Sequence, residues 1–120
     1  MKRRNPTIKP YPLCENKSDL FGRVYISGAI TGLDIQEREG VFEEVEGWIK
    51  TFGLDCFNPF KNGYSQDSSV TREQHIKIDL VNLLECDTIL FLPGWENSRG
   101  CLLEMNIAEQ IGMPIFIYYE

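Results

Sequence analysis

Four short apolar segments, the first three closed by glycine, asparagine or proline, alternate with stretches of helical period, and this alternation constrains the chain more than any other feature. The first, GRVYISGAI (22–30), holds Val24, Tyr25, Ile26 and Ala29 in a β-prone run that opens into a glycine-bearing loop, SGAITGLD. From Gln36 to Phe52 the period turns helical: Phe42, Val45, Ile49 and Phe52 recur on one side, Val41 and Trp48 widen the stripe, and Gly53 supplies a C-cap signal. A short strand, LDCFNP, is stopped by Pro59. Residues 60–70 form a polar loop longer than most connections, which favours a functional role. Thr71 then caps a helix reaching Cys86, DTILFLP is a strand, Gly94 to Asn97 a turn, Ser98 to Gly112 a helix, and MPIFIYY the last strand. The order predicts an α/β domain: a small open parallel sheet of four to five strands with helices on both faces. Continuous apolar strands such as TILFL fit a sheet covered on both sides.

With 120 residues there is room for one domain, taken as 21–120, behind a flexible basic leader, 1–20, that carries Lys2, Arg3, Arg4 and Lys9 among prolines. The net charge of −6 makes a phosphate backbone a poor partner, so no nucleic acid is expected. No run is long and apolar enough for a membrane span, and no apolar stretch follows the basic start, so the reading is cytoplasmic and without membrane contact. Cys14, Cys56, Cys86 and Cys101 have no metal-ligand spacing and read as free thiols, buried at the last three positions.

Ligands of such folds bind outside the carboxyl ends of the strands, here SGAITG, NPF, PGWENS and the start of the last helix. Two carboxylates stand out of place. On a wheel of 100° per residue with Leu102 at zero, Asn106, Glu109 and Gln110 mark the solvent side, while Cys101, Ile107, Ala108 and Ile111 mark the other. Glu104 falls at about 200°, in the middle of the buried side, where a lone carboxylate is costly; capping of a neighbouring loop's amides is the plain alternative. Asp79 sits on the edge of the stripe formed by Ile76, Leu80, Leu83 and Leu84, either as a working group or as a solvated partner of Lys77 or His75. Ser98 reads as an N-cap, and with Gly100 it also makes a helix terminus open to an anion. The loop of Ser27, Gly28, Ala29, Ile30, Thr31 and Gly32 could add backbone N–H groups and hydroxyls, although it is neither a Walker motif nor GxGxxG. Paired carboxylates beside a sugar-sized pocket commonly serve glycosidic-bond cleavage.

Together, VYISGAITG (24–32), FNPF (57–60), IDLVNLLECD (78–87) and LPGWENSRGCLLEMNIAEQIGMPIFIY (92–118) resemble the nucleoside 2-deoxyribosyltransferase superfamily, in its small bacterial and phage branch, and are similar to the deoxynucleoside 5'-monophosphate N-glycosidases. The resemblance implies a Rossmann-like sheet of flavodoxin-like order and a homodimer or larger assembly. It implies Glu104 as the nucleophile that attacks C1', Asp79 as the group that hydrogen-bonds or protonates the leaving base, and Tyr25 as the residue orienting Glu104. It places Ser98 and Gly100 on a 5'-phosphate, and the 27–32 loop and Asn58 among the substrate-binding residues. No metal or organic cofactor is required.

The expected function is thus an N-glycosidase or 2-deoxyribosyltransferase acting on a (deoxy)nucleoside 5'-monophosphate. A second reading is a nucleotide-binding module of the same fold without turnover. It is motivated by Thr31 standing where the glycosidases offer an arginine, and by the chain's stop at Glu120, just after the last strand. A third is an interaction domain using the leader and the Leu102/Leu103 edge, an edge that also favours self-association.

Overall fold

The computed structural model describes residues 7–11, 19–30, 32–63 and 67–119. The described elements are β1 (Thr7–Tyr11), β2 (Arg23–Ser27), α1 (Ile35–Lys50), β3 (Asp55–Phe57), α2 (Arg72–Leu84), β4 (Thr88–Phe91), α3 (Arg99–Ile111) and β5 (Ile115–Tyr119). Short 3₁₀ turns lie at Pro59–Lys61 and Trp95–Asn97. They form one five-stranded sheet of order β1-β5-β4-β2-β3, parallel except for β1. The four parallel strands follow the flavodoxin-like order, with the chain reversing direction across the sheet after β3.

Residues that alternate along β2 face opposite layers, as the pleat requires. Val24 and Ile26 join Phe42, Val45 and Ile49 of α1 in one core, whereas Tyr25 joins Leu83 of α2 and Cys101, Met105 and Ala108 of α3 in the other. The same alternation puts Ser27 on the α2/α3 side. Each helix starts and stops on its own chemistry. The Asp34 side chain accepts from Glu37 N at 3.2 Å. Thr71 and Gln74 make a reciprocal capping box. Ser98 Oγ accepts from Cys101 N at 3.2 Å, and Gly112 ends α3 in the left-handed region at φ 74°.

Two sequence expectations are corrected. Within the supposed flexible leader, Thr7–Tyr11 is a strand paired antiparallel with β5 from Thr7↔Tyr119 to Tyr11↔Ile115. β5 would otherwise leave its outer row of N–H and C=O groups unpaired; an edge strand accepts the Pro10 that disguised it. Ile8 packs on the α1-side core and Tyr11 meets Trp95 edge-on at 5.7 Å. The other leader residues through Lys17 and Ser18, Cys14 included, lie outside the described set. Second, Phe52, Leu84 and Ile111, read as buried, are 59%, 58% and 53% exposed; each sits in or just past the last turn of its helix. The 60–70 loop opens on the Pro59–Lys61 turn, and its residues 64–66 lie outside the described set. Cys56, Cys86 and Cys101 are buried free thiols, as expected. Among the described residues no helix is long and apolar enough to cross a membrane.

Candidate active site

A cavity of about 620 Å³ opens at the carboxyl ends of β2 and β3, between the α2 and α3 layer and the Pro59–Lys61 turn. Glu104, one turn into α3, points its carboxylate onto β2. Tyr25 donates its hydroxyl to Glu104 Oε2 at 2.5 Å, and Ser27 donates to Oε1 at 2.6 Å. Period-two spacing makes this possible, since Tyr25 and Ser27 leave the same face of the strand. Tyr25 is itself fixed by stacking on Phe57, centroid to centroid 5.3 Å, across the β2–β3 pair. Cys101 Sγ lies 3.3 Å from Ser27 Oγ.

The electrostatics follow from burial. Desolvation raises the Glu104 carboxyl to about 7; the Ser27 and Tyr25 hydroxyls work against this, and the charge of Asp79 works with it. Burial also raises Asp79, opposed by the amide of Asn62, whose Nδ2 donates to Asp79 Oδ1 at 3.2 Å, and by His75 one turn earlier. Burial, then the neighbouring charges of Glu104 and Asp79, holds the Tyr25 phenol far above its ordinary value, so it remains a donor. Two carboxyl groups of raised pKa thus share one cleft with a fixed ring of O–H and N–H donors.

Of the residues singled out in the sequence, Tyr25, Ser27, Gly28, Ile30, Asp79, Ser98, Gly100 and Glu104 line the cavity. Gly28 is required by packing: a Cβ there would stand 2.9 Å from Phe42 Cζ. A Cβ on Gly100 would touch only Ser98 Oγ, at 3.9 Å, so the bare glycine leaves the start of α3 open to the cavity. The N–H groups of Arg99 and Gly100, which precede the first intrahelical donor, Leu102 N, are available there.

Three of the singled-out residues do not line the cavity. Ala29 lends its carbonyl to Arg38 Nε at 2.8 Å. Gly32 turns the chain toward α1 at φ 82°. Asn58 is buried, donating to Glu46 Oε1 at 3.1 Å and accepting from Phe60 N at 3.0 Å, so its side chain is spent on the fold. Thr31 lies outside the described residues. The cavity also holds groups the sequence did not single out, above all Asn62 and the exposed Arg72. His75, given little weight from sequence, lines it too. Helical spacing could have found Arg72, since positions 72, 75, 76 and 79 share one face of α2. Nothing in the sequence marks Asn62, which meets Asp79 only through the fold. Among the described residues no group of three or more His, Cys, Asp or Glu side chains is placed to hold a metal ion.

In comparison with solved structures, the chain is similar to the 2-deoxyribosyltransferase from the psychrotolerant bacterium Bacillus psychrosaccharolyticus. The TM-score is 0.61 at 16% identity over 78% of this chain and 69% of that one. At that identity the likeness establishes the fold, and it is the fold the sequence resemblance implied. No curated protein matches. The model of the family described as Domain of unknown function (DUF4406) matches residues 22–117, and the chain belongs to that family.

Proposed function

We propose that this protein cleaves or transfers the N-glycosidic bond of a (deoxy)nucleoside 5'-monophosphate, with Glu104 as the nucleophile. The observation that carries the reading is a partly buried carboxylate, Glu104, held by two hydroxyls in a cleft that also contains a second carboxyl of raised pKa, Asp79. The transferase nature of the structural neighbour supports it, as does the open α3 terminus, whose N–H groups suit a phosphate.

The step balances simply. An oxygen of Glu104 bonds to C1' as the bond from C1' to the base nitrogen breaks; the bonding pair leaves with the base, and the Asp79 proton goes to that nitrogen. Water then attacks C1' of the glycosyl ester, giving its proton to Asp79, and the Glu104 carboxylate departs. A second base in place of water completes a transfer. The productive form places the single proton of the pair on Asp79; burial favours that proton on Glu104, and the two O–H donors on Glu104, against one amide on Asp79, lower the cost of moving it. The cavity is large enough for a nucleotide-sized ligand.

Chromatography of nucleoside monophosphates incubated with the protein, with and without an added acceptor base, tests the reading: free or exchanged base supports it, and neither product from any of them overturns it. The pH dependence is a second check. The active form holds one proton between Glu104 and Asp79, so the catalytic efficiency kcat/KM should fall as pH rises through about 7, where the pair loses it. Tyr25→Phe and Ser27→Ala each remove a donor to the charged form, so each should move that midpoint upward, by about one pH unit. A midpoint that stays put would deny these hydroxyls a part in holding the nucleophile's charge.

A further inference from the structure

Glu46 is a buried charged side chain that the proposed chemistry does not use. It sits on α1, 7% exposed, on the far side of the Pro59–Lys61 turn from the cavity. Its Oε1 accepts from Asn58 Nδ2 at 3.1 Å and lies 3.1 Å from Lys61 Nζ, while Oε2 lies 2.8 Å from Lys50 Nζ. Burial works to raise its carboxyl, but the bonds from Lys50, Asn58 and Lys61 overcome that and hold it at about 2. Both oxygens of this carboxylate are engaged, and both lysines that meet it are about half exposed.

Two of the three partners of Glu46, Asn58 and Lys61, belong to one short segment. Asn58 also accepts from Phe60 N at 3.0 Å through its side chain and from Lys61 N at 2.8 Å through its carbonyl. Phe60 rests edge-on against Phe42 of α1 at 5.1 Å. From this anchored turn, Pro59, Phe60 and Asn62 reach the cavity wall, and Asn62 donates to Asp79 at 3.2 Å. An unbroken series of contacts therefore runs from α1, through a clamped turn, to a carboxyl group on α2.

We propose that Glu46 is a positioning residue: by clamping Asn58 and Lys61 it holds the turn where Asn62 meets Asp79. The inference rests on Asp79 as the group that meets the base. Its test reads Asp79 without substrate, however, so it fails or stands separately from that reading.

The measurement is the titration of the Asp79 side-chain carboxyl by carbon NMR in the ligand-free chain. Asn62→Ala should raise its midpoint by about one pH unit, the effect of one lost donor. Glu46→Gln and Lys61→Met should raise it by at least about half as much, and Lys61→Arg, which keeps the cation, should restore the wild-type value. His75 on α2, Arg72 at the mouth, Glu104 on α3 and Tyr25 on β2 also face Asp79, and none is altered. Placed on Asn62→Ala, Glu46→Gln should add nothing. A lower melting temperature with an unmoved Asp79 midpoint would reduce Glu46 to a structural ion pair. An equal shift in the Asn62→Ala background would show a field effect rather than positioning, and either result overturns the proposal. Should Glu46→Gln fail to fold, Lys61→Met and its arginine counterpart decide the matter alone.

Discussion

Glu104→Gln should lower base release from nucleoside monophosphates by on the order of 10³-fold or more while leaving nucleotide binding nearly intact. The expected split follows from where the groups stand. The amide keeps the size of the side chain and can still engage the Tyr25 and Ser27 hydroxyls, but it cannot form a glycosyl ester at C1'. The proposed phosphate contacts lie at the start of α3, at Ser98 and Gly100, and the substitution does not touch them. Thermal shift with the same nucleotides should therefore match wild type when chromatography finds no product. Acid quench of the wild type during turnover, followed by peptide mass analysis, should find the sugar phosphate on the peptide that contains Glu104. Full turnover by Glu104→Gln would remove the nucleophile from the scheme. Nucleotide stabilisation of a wild type that turns nothing over would leave a binding module.

The sequence carried the elements because its periods are clean. The TILF run is buried on both faces and could only be an interior strand, and Thr71 and Ser98 cap the helices they were expected to cap. The wheel reading of Glu104 came from periodicity alone: seven neighbours fix which side of α3 meets the sheet, and a carboxylate on that side must find donors. What periodicity does not supply is the partner across the fold. That Tyr25 and Ser27 are those donors depends on strand register and on how α3 sits over β2, so from sequence Tyr25 came only through family resemblance, and the Ser27 hydroxyl was expected on the ligand. Asn58 and Asn62 show the same limit from opposite sides. Both lie near a strand end, where ligands are expected, yet one turns back to Glu46 and the other forward to Asp79. Strand β1 escaped notice because an edge strand needs little apolar pattern, and TIKPY shows little.

Glu104→Gln should also make the protein more stable at neutral and alkaline pH, by about 3 kcal/mol at the upper bound. The folded state holds the Glu104 proton to about pH 7, against 4.5 for an unperturbed glutamate. Since the raised value means that folding favours the protonated form, the stability carried by this group is complete below about 4.5. It is lost as pH rises through 7. Glutamine is neutral throughout and imitates the protonated acid, so its advantage should be near zero at the acid end, grow between about 4.5 and 7, and level off above. Denaturant melts at pH 5, 6, 7 and 8 would draw that curve. The window is set by Glu46, whose depressed carboxyl works with the opposite sign: its contribution is present above 4.5 and fades as pH falls toward 2, so melts below pH 5 would mix the two. A difference between wild type and variant that is flat across the window would mean that Glu104 ionises as freely in the fold as in the unfolded chain. A growing difference would show that the site keeps, at a cost to the fold, a carboxylate that solvent cannot satisfy, which is the condition for spending its charge on an anomeric carbon.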